Sequence, residues 1–353
     1  MKIFVLQGKD TTQSGYGRYS LETIRALKQS GIEVVVSDIV LPQPLNYRKN
    51  YFFAFWYAWK LRKYAKGCDA IHCFIEAYSY ITYWLSWFTG KKYFITAHGT
   101  YGVLPYYQSK WRRFFHIKSF SKARKVICVS GYTKRALEKI GITNTHVIHN
   151  GIDFNKFYQI PVRSFDQREN VVLSVGALKH RKGQHVSLQA FANIAKKIKD
   201  VKYFFVGSQN DKTYFERLKK IVVGEGIEDR VEFFSSITDV ELFDLYRKAK
   251  VFVLTSLSEK NNFEGFGLVY LEANASGVPV IGSYESGAED AIKTGKTGLL
   301  APQNDLSIIE NSITLLLSNK DSWTRMNKEA VEWAKIHDIN EIIKEYIKIY
   351  KEI

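Results

Sequence analysis

Cysteine is scarce in these 353 residues. The three present, Cys68, Cys73 and Cys128, are odd in number and lack metal-ligand or redox spacing, which argues against a disulfide scaffold and for a reducing compartment. Proline is sparse at six, and no Pro/Gly-rich or low-complexity tract points to disorder. No Asp-x-Asp occurs and no His/Asp cluster has ligand spacing, so metal-dependent chemistry is disfavoured and no cofactor is expected. Long apolar runs are missing too. The opening MKIFVLQGKD is too short for a signal peptide and reads as a strand, and the apolar stretch from Ala77 to Gly90 falls below the roughly 18 residues of a spanning helix. The expectation is a cytoplasmic chain with no bilayer span.

Acidic residues are what the first half lacks most. Residues 1–160 hold 24 Lys and Arg against 8 Asp and Glu, a net +16, whereas 161–353 hold 27 of each sign. Such a field draws an anionic partner, be it nucleic acid, a phospholipid surface or a phosphate-bearing acceptor.

What is present is a repeated alternation of short apolar runs with helix-length amphipathic stretches, the pattern of parallel βαβ units covered on both faces. The length favours two such lobes. Strands are expected at 2–7, 33–37, 70–73, 93–97, 126–129 and 146–148, with a loop at 8–17, a helix at 18–30 and Ser130 capping another helix. The pattern restarts at 171–175, with a helix from about Gly183 and strands at 203–206, 231–234, 251–254 and 278–281. Thr238 and Glu241 have capping-box spacing. A polar stretch at 157–170 containing Pro161 reads as the linker, giving domains of 1–160 and 165–335, with a last helix within 338–353 that could return to pack on the first lobe, a docking the sequence itself does not show.

Two segments carry candidate chemistry. SVGALKHRKG, 174–183, places Gly176 in a strand-to-helix loop whose backbone N–H groups can face an anion, with Arg181 and Lys182 adding charge; a plain βα turn with solvated lysines fits equally. FEGFGLVYLEANASGVPVIGS, 263–283, sets Glu264 and Glu272 eight apart across a helix start, where Gly265 and Gly267 allow close backbone approach. The carboxylates can accept sugar and ribose hydroxyls, can be surface glutamates favoured by the helix dipole, or can form a glycosidase pair.

Taken in order, these motifs resemble glycosyltransferase family 4, over nearly the whole chain. They include the Glu-x7-Glu pair with Ala275-Ser276-Gly277-Val278-Pro279-Val280 behind it. Gly15-Tyr16-Gly17-Arg18, His98 in ITAHGTY, VSGYTKRAL from Val129 and Asn150-Gly151-Ile152-Asp153 fall in family order. The resemblance implies the α/β GT-B fold, two Rossmann-like domains with doubly wound parallel sheets facing across a cleft. It also implies a retaining transfer from a UDP- or GDP-sugar. By the same resemblance Glu272 holds the ribose; Glu264, with the backbone of Gly265, Phe266, Gly267 and Leu268, holds the sugar and diphosphate. Lys182 neutralises the leaving group, Gly15 nears the phosphates, His98 lies by the reacting sugar and Ile237 meets the base. Three positions depart from the pattern: Ala177 stands where arginine often follows Gly176, with Arg181 as its candidate replacement, Asp290 replaces glutamate, and His149 replaces proline.

The first half adds YRKNYFFAFWYAWKLRKYAK, 47–66, with nine aromatics among basic residues, and KWRRFFHIKSFSKARK, 110–125. Both read as amphipathic helices suited to an anionic headgroup layer, or as core aromatics flanked by solvated charges. No nucleic-acid module appears, and the donor motifs are unexplained by one. The expected function is transfer of a sugar to a glycan or lipid-linked acceptor in envelope polysaccharide or glycolipid synthesis, peripherally at the inner membrane face. A GT-B-like epimerase or phosphorylase, or a non-catalytic binding protein, stands as the alternative.

Overall fold

A computed structural model describes residues 1–7, 15–41, 51–158 and 160–353. They divide into two units, Met1–Gly151 with Ile339–Ile353, and Ile152–Asp338.

The first unit is a parallel sheet of β1 (Lys2–Leu6), β2 (Glu33–Val36), β3 (Ala70–Cys73), β4 (Lys92–Ala97), β5 (Lys125–Cys128) and β6 (Thr145–Val147), in the order β2-β1-β3-β4-β5-β6. Positions along β3 are buried without alternation, because helices cover both faces. The first helix runs Gly15–Gln29, so Gly15 and Gly17 belong to it and not to the expected loop, of which 8–14 lies outside the described residues. Ser130 caps the helix Gly131–Glu138, accepting the Thr133 N–H at 3.0 Å.

The last helix, Ile339–Tyr350, completes this unit. Ile339, Ile343, Tyr346 and Tyr350 recur at helical spacing and pack with Ile3, Val5, Tyr19, Ala70 and Phe94. Its tyrosines are also wired in: Tyr346 Oη lies 2.7 Å from Tyr19 Oη, and Tyr350 Oη bonds His72 Nδ1 while His72 Nε2 meets Thr96 Oγ1 at 2.9 Å. Burial, then the neighbouring His98, pulls the His72 pKa down to about 3, so its ring stays neutral.

In the second unit β7 (Val171–Val175), β8 (Lys202–Val206), β9 (Val231–Phe234), β10 (Val251–Val253), β11 (Val280–Ser283) and β12 (Gly298–Ala301) form a parallel sheet ordered β12-β11-β10-β7-β8-β9. The reading of the chain has no counterpart to β12, whose four residues between Thr297 and Pro302 are too short for periodicity to show. Strand β11 starts two residues later than expected, because the Val278 N–H closes the preceding helix on Ala273 at 2.9 Å and Pro279 has none to give. The Thr238–Glu241 capping box forms as the spacing implies.

The division falls at Gly151 and Asp338 instead of near 160 and 335. Entry and exit are tied within the second unit by Ile152 N donating to His337 O at 3.0 Å and Phe154 N to Asp338 Oδ2 at 3.0 Å. The described residues of the 157–170 stretch belong to this unit. Its anchor is the buried Arg168, which donates to the carbonyls of Tyr246 (3.0 Å), Ala249 (2.8 Å) and Ser276 (2.6 Å). These are carbonyls at the ends of the helices Asp239–Lys248 and Leu268–Ala275, where a cation satisfies groups without intrahelical partners. Arg168→Met strands them in the interior and should cost about 2–4 kcal/mol in urea unfolding, most of it recovered by Arg168→Lys if charge alone matters and little if the fork geometry does.

Candidate active site

The sheet order of the second unit reverses between β7 and β10: the chain leaves β7 toward β8 on one side and later returns with β10 on the other. In doubly wound sheets the loops at such a reversal splay apart and leave a crevice at the strands' carboxyl ends. After β7 comes a short 3₁₀ turn, His180–Lys182, closed by Gly183 at φ 65°. Gly183 cannot be replaced cheaply, because an added Cβ would lie 1.8 Å from the Thr255 carbonyl oxygen. Two bonds stitch the same loops together: Thr255 Oγ1 donates to Gly183 O at 2.8 Å and Leu257 N to Arg181 O at 2.7 Å.

This stitching delivers both cations to one carboxylate. Glu264 Oε2 accepts from Lys182 Nζ at 2.6 Å, from Arg181 Nη1 at 3.1 Å and from Ser256 Oγ at 3.1 Å. Glu264 is 9% exposed. Burial alone would raise its pKa, but the charges of Lys182 and Arg181 and the hydrogen bonds from Lys182 and Ser256 outweigh this and hold it well below the usual carboxylate range. Lys182 itself is lowered, burial outweighing the attraction of Glu264. A carboxyl so firmly ionised cannot be the protonated acid of a glycosidase pair.

Behind Glu264 the chain turns through Gly265, Phe266 and Gly267 into the helix Leu268–Ala275. Gly267 has φ 90°, and a Cβ there would sit 2.5 Å from the Tyr270 ring, so the helix starts tight against its own first turn with no side-chain cap. Glu272 is 2% exposed and accepts from Tyr246 Oη at 3.1 Å, which removes the surface-glutamate alternative. Ala177, in place of arginine, offers its carbonyl to Gln184 Nε2 at 3.1 Å, and Arg181 is the guanidinium that reaches Glu264. Gly176 packs by the Lys182 stem, whereas Ile237 follows β9, two strands from β7. Ser256 and Tyr246 escaped the reading of the chain: one is a serine in a loop, the other an ordinary apolar-stripe position.

The first unit has its own reversal, between β1 and β3. Gly15 opens the helix that follows β1, and His98 stands at the carboxyl end of β4. His98 Nε2 donates to Phe74 O at 2.9 Å, which leaves a neutral ring's lone pair on Nδ1, and the ring meets Tyr19 edge-on at 4.5 Å. Withdrawal from water lowers its pKa to about 4, so His98 carries no charge at neutral pH. Its backbone N–H donates to Glu76 Oε1 at 3.1 Å. Glu76, another residue the sequence did not single out, is 1% exposed, and its Oε2 has no partner among the described residues. Burial pushes its pKa up to about 8.

On the same unit the helix Tyr51–Ala65 faces inward with Ala54, Ala58, Leu61 and Ala65 and leaves Phe53, Phe55, Trp56 and Trp59 exposed, so those aromatics do not fill the core; residues 47–50 lie outside the described residues. Trp87 (66% exposed) and Trp111 (73%) project from the helices Ser79–Thr89 and Lys110–Ser121. Lys60 lies 3.6 Å over Trp56 and Arg62 3.9 Å over Trp59. No acidic residue occurs between Asp38 and Asp69 or between Glu76 and Glu138. Among the described residues no helix is long and apolar enough to cross a membrane, and no group of three His, Cys, Asp or Glu is placed to hold a metal.

Comparison with known proteins bears on both units. The chain matches the family Glycosyl transferases group 1 over residues 156–333 and Glycosyltransferase Family 4 over 13–156. It is 31% identical over 183 residues to mannosylfructose-phosphate synthase of Agrobacterium fabrum, covering 48% of this chain and 39% of that one. It is 27% identical to the GDP-mannose-dependent alpha-(1-6)-phosphatidylinositol monomannoside mannosyltransferase of Mycobacterium tuberculosis, covering 59% and 56%. The matched region thus spans about two fifths to just over half of these curated relatives. In fold, the chain is similar to Anabaena HepE in complex with UDP-glucose (TM-score 0.81, 20% identity, 100% of both chains). It is also similar to sucrose-phosphate synthase of Thermosynechococcus elongatus (TM-score 0.81, 22% identity, 99% and 98%). Two six-stranded parallel sheets in this arrangement are the GT-B fold.

The buried Glu76 has a measurable signature. Its unfolded-state carboxyl loses its proton near pH 4.5 and the folded one near 8, so the folded state binds the extra proton in between and stability falls as pH rises through that window. Glu76→Gln should remove this fall: urea unfolding at pH 5 and pH 8 is expected to show the variant gaining on the wild type at the higher pH, and an equal difference at both would contradict the buried neutral acid.

Proposed function

The chain belongs to the Glycosyl transferases group 1 family, and on that premise we propose that it transfers a sugar from a nucleotide diphosphate sugar to a glycan or lipid-linked acceptor. The carrying observation is the convergence of Lys182, Arg181 and Ser256 on Glu264 at the switch point of the second unit, directly before a helix start without a side-chain cap. A diphosphate is a doubly anionic group, and two cations beside a helix N-terminus match it. In this reading Lys182 and Arg181 meet the charge that gathers on the departing diphosphate, so the step calls for no metal. Glu264 and the backbone of Gly265 to Leu268 hold the sugar end, the buried Glu272 accepts the ribose hydroxyls, and Ile237 borders the base. By family resemblance alone, Gly15 is assigned to the phosphates and His98 to the reacting sugar. Retention of configuration is part of the proposal, resting on family resemblance.

The relatives include a GDP-mannose-dependent enzyme and a fold neighbour holding UDP-glucose, so both bases enter the test. A thermal-shift screen of UDP- and GDP-sugars should raise the melting temperature with one set, because a ligand that binds only the folded state stabilises it by mass action. With the donor so identified, Lys182→Ala should lower turnover about tenfold to a hundredfold, the value of one charge-assisted contact at the leaving group. Unchanged kinetics would remove Lys182 from the site.

We further propose that the first unit rests peripherally on an anionic membrane, at the cytoplasmic face, within envelope polysaccharide or glycolipid synthesis. Exposed Trp59, Trp87 and Trp111, in stretches of chain that hold basic and no acidic residues, suit a headgroup layer, where each Lys or Arg near the surface contributes about 1 kcal/mol. Sedimentation with phosphatidylglycerol vesicles should carry the protein down, with neutral phosphatidylcholine vesicles leaving it in solution. Trp87→Ala with Trp111→Ala should weaken the association several-fold, whereas binding to oligonucleotides and not to vesicles would reverse the assignment.

A further inference from the structure

We propose that Glu264 is a specificity-determining residue, an internal counter-anion that makes the pocket favour the intact nucleotide sugar over the nucleoside diphosphate left after transfer. This rests on the reading of the pocket as the donor site and goes beyond it, since holding a sugar hydroxyl does not require Glu264 to neutralise the cations.

The geometry is one of shared charge. Lys182 Nζ and Arg181 Nη1 both bond the same oxygen of Glu264, at 2.6 and 3.1 Å, and all three side chains are at most 16% exposed. These three groups carry two positive charges and one negative, and Lys179 stands close enough to interact with all of them, so the cluster keeps a net positive charge in a setting where water screens little. Lys182 and Arg181 also hold the Glu264 carboxyl far below its ordinary pKa, so it stays an anion at neutral pH.

The two ligands differ in charge at one place. In a nucleotide sugar the terminal phosphate is esterified and carries one negative charge. When the anomeric carbon passes from the phosphate oxygen to the acceptor's hydroxyl oxygen, the electron pair of the broken bond stays on the phosphate oxygen and the acceptor's proton is released, so the freed terminal phosphate bears a second negative charge above a pKa of about 6. The new charge appears where the sugar was attached, the end of the ligand assigned to Glu264. A carboxylate there accepts a hydrogen bond from a sugar hydroxyl but repels a phosphate oxyanion. It thereby favours the donor and speeds the parting of the product.

Glu264→Gln keeps the side chain's size and its acceptor oxygen while removing the charge. Isothermal titration of wild type and variant with UDP, GDP and the corresponding nucleotide sugars should show nucleoside diphosphate binding tightened at least tenfold relative to nucleotide sugar, with a steeper salt dependence. Equal tightening of both ligands, or no tightening of the diphosphate, would overturn the proposal. Wild type that binds none of these ligands would instead overturn the donor-site reading beneath it. If Glu264→Gln does not fold, Arg181→Gln gives the converse measurement. Loss of a cation beside an intact Glu264 must weaken diphosphate binding more than sugar-nucleotide binding, and equal weakening sinks the idea.

Discussion

The second unit is organised around a carboxylate that three donors share. Glu264 could not be buried alone, since an isolated ionised carboxylate would surrender its charge or its place in the interior. Lys182 and Arg181 could not sit so close to each other without it. Their mutual dependence requires the loop after β7 and the loop after β10 to be held in register, which the bonds from Thr255 Oγ1 to Gly183 O and from Leu257 N to Arg181 O do. The glycine, the two bonds and the ion cluster are therefore one feature seen at three levels of structure.

The two units use the same sheet logic toward different electrostatic ends. In the second, the switch point concentrates fixed charge. In the first, the groups at the corresponding strand ends are held neutral: His98 is lowered to about 4 and Glu76 raised to about 8, both by burial. A neutral imidazole and a neutral carboxyl offer hydrogen bonds without field, whereas the cations around Glu264 keep their charge. Part of the positive excess of the first unit is carried elsewhere, on the helices Tyr51–Ala65 and Lys110–Ser121, whose Trp59 and Trp111 are exposed and, on the first of them, whose Lys60 and Arg62 lie over indole rings.

Local patterns accounted for much of what was legible beforehand. Eleven of the twelve strands are short apolar runs that announce themselves, the Ser130 and Thr238 caps follow from side-chain chemistry, and the spacing of Glu264 and Glu272 flags the helix start. Strand β12 was not legible, because four residues carry no period, and β11 shifted because a helix claimed the Val278 N–H. The polar 157–170 segment misled for a definite reason: Arg168 looks like a linker charge until the five backbone carbonyls to which it donates surround it.

Sequence by itself determined the βαβ alternation, from short apolar runs, and the family, from motifs in order along the chain, and it marked Arg181 and Lys182 as candidate phosphate cations without showing Ser256 beside them. Only the tertiary structure decided that Arg181 and Lys182 share one oxygen of a residue more than eighty positions away, that the final helix belongs with the first unit, and that Glu76 lies buried under the His98 backbone. Those outcomes turn on desolvation and on which distant strands become neighbours, and neither quantity is written in any local stretch of residues.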